Sequence, residues 1–332
     1  FSERAFLNGK LDLVQAEAIH DLIVSQSEAQ AKSAMNSLSG NFSKRVKTLL
    51  ETLIQLRVYI EAAIDFSEED IDFISDGNVL VGLNDLNEKV SQLLASAGSG
   101  KLLTDGLNVV IAGKPNAGKS SLLNALSGEE TAIVTDIEGT TRDVLREQIV
   151  IEGVPIHIID TAGLRETDDK IEAEGIKRAK REMESADLVL WMHDDGSEEE
   201  RVDDEILALN LPIIYIHTQI DLSGKAAGIY EDHIAMSAKT GEGLELVQSA
   251  ILERAGYDAQ EGLFSARERH LFSLKRVLEH FEVALSLIKS EHSIELVAEE
   301  LRLAQIALGE ITGEFSSDAL LGEIFSSFCV GK

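Results

Sequence analysis

Apolar residues recur every three or four positions in four long stretches of the chain, as they do on the buried face of an amphipathic helix. The apolar positions are Val46, Leu49, Leu50, Leu53, Leu56, Ile60 and Ile64; Val79, Leu83, Leu86, Val90, Leu93 and Leu94; Leu271, Leu274, Val277, Leu278, Phe281, Leu285 and Ile288; and Ile294, Val297, Leu301, Ala304 and Leu308. Because each apolar face needs a partner, the two flanks are expected to pack together as one discontinuous all-α helical domain. Gly98-Ser99-Gly100 follows the second stretch and is expected to be a linker.

Between the flanks, short apolar runs alternate with helix-like patterns, which is typical of an α/β domain built on a parallel sheet. Strands are expected near 107–112, 145–151, 154–159, 187–192, 212–217 and 233–236, and helices from Lys119, over 172–185 and from Leu244. This alternation predicts a doubly wound sheet that binds its ligand at the carboxyl ends of the strands. The predicted domains are residues 1–104 (helical domain, first half), 105–256 (inserted α/β domain) and 257–332 (helical domain, second half).

A phosphate-binding motif, G-x-x-x-x-G-K-[ST], occupies residues 113 to 120, directly after the first predicted strand. In such a loop, glycines let backbone N–H groups surround phosphate oxygens, while Lys119 reaches the outer phosphates and the Ser120 hydroxyl ligates Mg²⁺ at the start of a helix. The loop residues expected to contact the nucleotide are Asn116, Ala117, Gly118, Lys119, Ser120 and Ser121. The motif predicts an NTPase.

Two further motifs follow in the order that a GTPase of the Ras type requires. Asp160-Thr161-Ala162-Gly163 ends the strand predicted near 154–159, so the Asp160 carboxylate would lie at the strand tip and hold magnesium through water. Gly139-Thr140-Thr141 lies between the two motifs, and Thr141 is expected to supply a second hydroxyl to Mg²⁺ and to sense the γ-phosphate. The predicted fold is therefore a P-loop GTPase domain, Ras-like, inserted into a helical domain.

The motif that would read the base departs from the usual Asn-Lys-x-Asp. The chain has Thr218-Gln219-Ile220-Asp221, in which Asp221 can still accept hydrogen bonds from the two guanine N–H donors. The chain lacks the lysine stem over the base and the asparagine that braces the loop, and this loss is expected to weaken nucleotide binding. Ser237-Ala238-Lys239 matches the loop whose backbone N–H meets the guanine carbonyl.

The residue that orients the attacking water is not fixed by spacing. Leu164 follows the D-x-x-G motif where a Ras-like protein has glutamine, and an apolar side chain cannot orient water. The acids downstream, Glu166, Asp168, Asp169 and Glu172, are all candidates.

Charge and composition limit the partners. The chain has 59 acidic and 30 basic residues and a net charge of −29, which opposes nonspecific attraction to a polyanion. Any contact with RNA would be local or delivered by a partner. One cysteine excludes an internal disulfide, and no apolar run approaches the ~18 residues that span a bilayer. We expect a soluble, cytoplasmic protein.

Several motifs together resemble one family. They are the run G-K-P-N-A-G-K-S-S from Gly113, the run from Thr135 to Asp143, D-T-A-G-L-R from Asp160, the opening from Glu3 to Leu13 and the ending Phe328-Cys329-Val330-Gly331-Lys332. The chain is similar from its first residues to its last to the MnmE (TrmE) family of tRNA modification GTPases. Members of that family carry a folate-binding, dimerising domain before the position of Phe1, and this chain is expected to lack it.

The resemblance implies further site residues and cofactors. Potassium would be held by Asn116, Thr135, Ile137 and Thr140, and the switch loop would contribute Thr135, Asp136, Ile137, Glu138, Gly139, Thr140 and Thr141 to the GTP site. Glu172 would orient the attacking water and act with Lys119 in catalysis. Lys10 and Lys332 would approach a tetrahydrofolate derivative, and Cys329 would take part in the modification reaction.

The resemblance also implies the partners: a homodimer whose GTPase domains meet face to face, a flavin-containing MnmG (GidA) subunit that completes a heterotetramer, and tRNA. The predicted function is K⁺-activated GTP hydrolysis that drives an aminomethyl-type modification of the wobble uridine of tRNA. Two alternatives remain. A GTPase of ribosome assembly predicts a basic RNA-binding module, which this acidic chain does not offer, and a nonenzymatic GTP-responsive scaffold predicts negligible turnover.

Overall fold

The computed structural model describes residues 1–65, 78–113, 116–127, 147–160, 185–195, 202, 204–258, 263–290 and 294–314. They form two compact units, one made by residues 1–104 with the described residues after 262, the other by residues 105–258. The helices are α1 (Ser2–Leu7), α2 (Leu13–Val24), α3 (Glu28–Leu38), α4 (Asn41–Asp65), α5 (Asn78–Asp105), α6 (Lys119–Ser127), α7 (Asp204–Leu207), α8 (Ile220–Ser223), α9 (Leu244–Ala255), α10 (Glu268–Lys289) and α11 (Ile294–Thr312). The strands are β1 (Leu107–Gly113), β2 (Glu147–Ile151), β3 (Val154–Asp160), β4 (Leu188–Asp194), β5 (Ile213–Thr218), β6 (Gly228–Ile229) and β7 (Ile234–Ala235).

The helical unit is built around the four predicted stripes, all of which are helices: α4, α5, α10 and α11. Their apolar faces meet in one core that includes Leu53, Leu83, Phe281 and Leu301, each fully buried. Residues from both ends of the chain thus share a single core. The prediction of a helical domain assembled from the two flanks is confirmed.

A buried ion cluster joins α2 to the start of α10. Arg269 donates from Nε and Nη2 to the two carboxylate oxygens of Glu17, at 2.8 and 2.7 Å, and also donates to the carbonyl oxygens of Glu310 and Ile311 near the end of α11. His270 Nε2 lies 3.2 Å from the same carboxylate. Burial alone would raise the pKa of Glu17, but Arg269 and His270 outweigh it and lower that pKa to about 2. The cluster therefore ties the first and last parts of the helical unit together.

The prediction of a linker at Gly98-Ser99-Gly100 is wrong, because α5 runs unbroken through these residues to Asp105. Gly100 instead allows the backbone at Phe264 to pack closely against α5. A Cβ built on it would lie 2.0 Å from the carbonyl oxygen of Phe264, so only glycine lets that segment approach the helix. Gly98, by contrast, has nothing within 4 Å of such a Cβ.

The second unit is a seven-stranded sheet, within the described residues, in the order β2-β3-β1-β4-β5-β7-β6. The pairs β3-β1, β1-β4, β4-β5 and β5-β7 are parallel, and the edge strands β2 and β6 are antiparallel to their neighbours. This is the predicted doubly wound sheet. The helix predicted over 172–185 lies outside the described residues, apart from its last position. No helix in the described part of the chain is both long and apolar enough to cross a membrane.

Candidate functional site

The sheet brings the sequence motifs to one edge. In the strand register Ile111 is opposite Asp160, Gly113 is opposite Met192, and Asp194 is opposite Thr218. The carboxyl ends of β1, β3, β4 and β5 therefore lie side by side. In an open α/β sheet, this is the edge where ligands bind.

The phosphate loop has a backbone that only a few residue types allow. Gly113 has φ 141°, and a Cβ on it would lie 2.1 Å from the carbonyl oxygen of Met192 on the neighbouring strand. Asn116 and Gly118 both have left-handed φ values, 69° and 84°. Turns of this kind can direct successive N–H groups at an anion, and α6 begins immediately afterwards at Lys119. The loop has the form of a phosphate cradle.

The side chains around the loop suit a nucleotide with magnesium. Lys119 Nζ donates to the carbonyl oxygen of Gly113 at 2.5 Å, which holds the ammonium over the loop. Ser120 and Ser121 are exposed in the first turn of α6. Asp160 is the last residue of β3, directly beside β1. A hydroxyl and a carboxylate at these two positions are the oxygen donors that Mg²⁺ prefers, so the residues present fit the metal.

Thr218 braces the phosphate loop in place of the usual asparagine. Its side chain is 2% exposed, and its hydroxyl lies 2.8 Å from the carbonyl oxygen of Ala117 and 3.1 Å from that of His193. The next residue, Gln219, has a left-handed φ of 61° and donates from its amide to the carbonyl oxygen of Asn116 at 2.8 Å. Both contacts run from the base-reading loop to the phosphate loop. The bracing therefore survives the loss of asparagine and lysine, which the sequence alone did not reveal.

Three of the residues predicted to bind the base lie close together. Ser237, which is fully buried, donates its hydroxyl to Asp221 Oδ1 at 2.8 Å. The ammonium of Lys239 lies 3.8 Å from the other carboxylate oxygen, Oδ2, on an exposed side chain. Ala238 lies between the two. One oxygen of the Asp221 carboxylate thus accepts from Ser237 and the other faces the Lys239 ammonium.

A family model described as the MnmE helical domain matches residues 13–329. The chain belongs to the MnmE family. MnmE proteins are tRNA modification GTPases, and this member combines a P-loop GTPase sheet unit with a helical unit assembled from both flanks.

Solved structures of GTP-binding proteins also resemble the chain. A variant of Era from Aquifex aeolicus, in complex with GDP and AlF4⁻, is 26% identical with a TM-score of 0.36, and the match covers 52% of this chain and 66% of Era. The G domain of the T. maritima FeoB iron transporter is 29% identical with a TM-score of 0.31, and covers 45% of this chain and 98% of that domain. The FeoB G-domain from Methanococcus jannaschii is 21% identical with a TM-score of 0.33, and covers 45% of this chain and 97% of that domain.

Several residues that the MnmE resemblance singles out lie outside the described residues: the switch loop Thr135–Thr141, the residues Thr161, Ala162 and Gly163, Glu172, Cys329 and Lys332. Of the predicted potassium ligands, the structure describes Asn116, which is exposed in the phosphate loop. Lys10 is exposed in the turn after α1, and its backbone N–H donates to the carbonyl oxygen of Ala5 at 2.9 Å.

The end of α11 packs against the same N-terminal motif that contains Lys10. Gly313 has a left-handed φ of 87°, and a Cβ on it would lie 2.9 Å from the ring of Phe6 and 3.1 Å from Leu13. Gly313, close to the last described residue, therefore lies against the opening motif.

Proposed function

We propose that this MnmE family member is a K⁺-activated GTP hydrolase that drives an aminomethyl-type modification of the wobble uridine of tRNA, together with a flavin-containing MnmG (GidA) subunit. The observation that carries the proposal is the direct connection between the two nucleotide loops, from Thr218 to Ala117 and from Gln219 to Asn116. A chain with both loops in contact can hold the phosphates and the base of one nucleotide at once. Membership of the MnmE family supports the tRNA substrate.

Guanine selection is assigned to Asp221. Guanine presents two adjacent N–H donors where adenine presents no such pair, so a carboxylate held by Ser237 favours GTP over ATP. The backbone N–H groups around Ala238 and Lys239 are assigned to the guanine carbonyl.

Hydrolysis in this proposal is largely positioning and charge stabilisation. Lys119 moves from the Gly113 carbonyl to the outer phosphates, which outcompete a neutral oxygen for an ammonium. The Ser120 and Thr141 hydroxyls would hold Mg²⁺, and Asp160 would act on it through water. When bound, Mg²⁺ and K⁺ offset the negative charge that develops on the phosphates.

Potassium is assigned to Asn116, Thr135, Ile137 and Thr140. Asn116 is exposed, so a second copy of the GTPase unit could cover it. We therefore propose a homodimer in which two such units meet face to face and exclude water from the phosphates.

We assign to Glu172 the role of orienting the attacking water, and one substitution tests this role directly. Replacing Glu172 with alanine removes every group that could orient water, so it should abolish most GTP turnover in the full-length protein but leave GTP affinity within about twofold, because such a group acts in the transition state. Glu174→Ala, two residues away, is the matched control and should retain turnover. Loss of activity in Glu174→Ala with normal activity in Glu172→Ala would move the assignment to another acid.

Lys10 and Lys332 are assigned to a tetrahydrofolate derivative and Cys329 to the modification reaction. The net charge of −29 favours delivery of tRNA through the basic surface of a partner over direct capture.

The tRNA reaction is tested in bacteria that lack their own MnmE. Nucleoside mass spectrometry of their tRNA should show the modified wobble uridine restored by the wild-type protein and not by Lys119→Ala. Unmodified wobble uridine with both proteins, alongside normal GTP turnover in vitro, would overturn the tRNA assignment and favour a GTPase of ribosome assembly.

A further inference from the structure

A second polar cluster lies beside the base-reading loop and has no role in the proposed GTP reaction. Asp195 follows β4, His217 is in β5, and His233 precedes β7, so three neighbouring strands supply one residue each. One potential ligand atom from each residue lies within 4.8 Å of the other two. The three side chains are 10%, 17% and 11% exposed, so the cluster is largely shielded from water.

A cation already lies among these groups. Lys225 Nζ is 3.0 Å from Asp195 Oδ1 and 2.8 Å from His233 Nε2, and His217 Nδ1 is 3.3 Å from the same Asp195 oxygen. The cluster therefore converges on a positive charge.

The hydrogen bonds determine which nitrogen His233 presents. Its Nδ1 lies 2.6 Å from Asp232 Oδ1, and a carboxylate can only accept, so Nδ1 carries a proton. Nε2 then presents its lone pair to the ammonium of Lys225. A histidine whose far nitrogen donates to a carboxylate is the usual arrangement behind a metal-ligating imidazole.

We propose that Asp195, His217 and His233 form a binding site for a transition-metal dication, Zn²⁺ in particular, which displaces the ammonium of Lys225. Two imidazoles and one carboxylate suit Zn²⁺ and Co²⁺, whereas Mg²⁺ and Ca²⁺ prefer oxygen ligands alone. Water would take the fourth position. His217 would bind through Nδ1 in the tautomer that carries its proton on Nε2.

Binding requires local rearrangement. The rings of His217 and His233 are stacked with centroids 3.7 Å apart and planes 17° apart, so one ring must rotate before both nitrogens face a single ion. Lys225 must also withdraw, and the ring of Tyr230, whose centroid is 4.4 Å from Lys225 Nζ, offers the ammonium an alternative partner. The site is therefore weaker than a preformed structural zinc site.

Metal binding would be coupled to the base-reading loop. Ser223, the last residue of α8, donates its hydroxyl to Asp195 Oδ2 at 2.7 Å, and Asp221 lies in the same helical turn. A ligand that alters Asp195 would therefore alter the position of Asp221, and binding of the two ligands would be reciprocally linked. This coupling, unlike the metal site itself, depends on the proposed guanine pocket.

The test uses metal-free full-length protein in excess Mg²⁺, titrated with Zn²⁺ by calorimetry and with Co²⁺ by visible absorption. His217→Gln and His233→Gln should each weaken Zn²⁺ binding by about 10-fold or more, and Asp232→Asn by about 10-fold. Lys225→Met should tighten it, because it removes the competing cation. His157→Gln, on β3 and hydrogen-bonded to the Asp105 carbonyl, is the matched control and should bind like the wild type.

Far-ultraviolet circular dichroism establishes that each variant is folded. Equal Zn²⁺ affinity in the wild type and in a folded His217→Gln/His233→Gln double variant would overturn the proposal, as would weaker binding in Lys225→Met. GDP titrations of the same samples separate the two proposals: normal GDP affinity without Zn²⁺ binding removes the metal site and leaves the guanine pocket intact.

Discussion

The Thr218 hydroxyl and the Ala117 carbonyl oxygen, 101 positions apart in the chain, are joined by a hydrogen bond of 2.8 Å. Ala117 is fully buried in the phosphate loop, and Thr218 is the first residue of the base-reading motif. The contact couples the phosphate loop to the loop to which we assign the base.

Thr218→Val keeps the shape of the side chain and removes the hydroxyl. The hydroxyl has one proton, which it can donate to either of two buried carbonyl oxygens, and we expect its removal to weaken GDP binding by about 1–3 kcal/mol. Isothermal titration calorimetry measures the change. Thr218→Asn, which restores a donor of the usual type, should bind GDP at least as well as Thr218→Val.

Thr52→Val is the control for this substitution, because the Thr52 hydroxyl donates only within α4, to the Thr48 carbonyl. It should leave GDP affinity unchanged. Equal affinity in Thr218→Val and the wild type would show that the contact between the loops does not support nucleotide binding.

Asp221→Asn tests the base pocket. An amide offers one acceptor where the carboxylate offers two, and one carboxylate oxygen already accepts from Ser237. We expect GDP affinity to fall by about 1.5–3 kcal/mol, and xanthosine diphosphate, which has a carbonyl in place of the guanine amine, to bind better than it does to the wild type.

Competition binding with GDP, ADP and xanthosine diphosphate measures this preference. Asp204→Asn, at the exposed start of α7, is the control and should not alter it. If Asp221→Asn discriminated between guanine and adenine as the wild type does, the pocket assignment would be wrong.

Gly98 and Gly100 offer a matched pair in α5. Gly98→Ala meets open space and should stabilise the helical unit by about 0.5–1 kcal/mol, because alanine favours a helix interior. Gly100→Ala places a methyl group against the Phe264 carbonyl and should destabilise it by about 1–3 kcal/mol. Urea unfolding followed by circular dichroism compares the two, and similar effects from both would contradict the packing role of Gly100.

The ion cluster around Glu17 makes the helical unit sensitive to acid. The pKa of Glu17 is lowered from 4.5 to about 2, so its contribution to stability is complete above about pH 4.5 and is lost as the pH falls toward 2. Burial and the charge of Arg269 lower the pKa of His270 from 6.5 to about 4, so the folded unit favours the neutral imidazole. The stability that this provides is complete above about pH 6.5 and is lost as the pH falls from 6.5 to about 4.

We therefore expect the urea midpoint to fall as the pH is lowered from about 6.5 to about 2, through His270 down to about pH 4 and through Glu17 below about pH 4.5. Glu17→Gln should destabilise the unit by about 3–5 kcal/mol at neutral pH, because it leaves Arg269 buried without a counter-charge. Glu299→Gln, an exposed partner of Arg302, should change stability by less than about 0.5 kcal/mol. A midpoint independent of pH over this range would contradict the assignment.

Strong periodicity and motif order were enough to predict much of the fold. The four long helical stripes, the strand before the phosphate loop and the strand that ends at Asp160 are all present. These elements can be predicted because their apolar spacing, or their motif, lies within one continuous stretch of sequence.

Three helices at the start of the chain were not predicted, because they are short and their apolar spacing is weak. A local signal was nonetheless present: Asp12 with Gln15 and Ser27 with Gln30 form capping boxes at the starts of α2 and α3. The glycines of α5 caused the opposite error, because they predicted a linker where a helix continues. A glycine that permits close packing looks the same in sequence as one that ends a helix.

The contacts of the candidate site were harder to predict than its motifs. Thr218 departs from the expected asparagine, and only the strand register shows that its hydroxyl reaches the phosphate loop. Likewise, Asp195, His217 and His233 are separated in sequence and meet only because β4, β5 and β7 are neighbours in the sheet.

The most direct test of the proposed function is the GTP turnover of the full-length protein in K⁺ and in Na⁺ at equal ionic strength and constant Mg²⁺. We expect GTP turnover in K⁺ to be at least about 10-fold faster than in Na⁺. Asn116→Gly, which retains the left-handed backbone and removes the side chain, should be slow in both ions, whereas Asn124→Ala on α6 should behave like the wild type. Turnover that is the same in both ions, at protein concentrations that saturate dimer formation, would contradict the account.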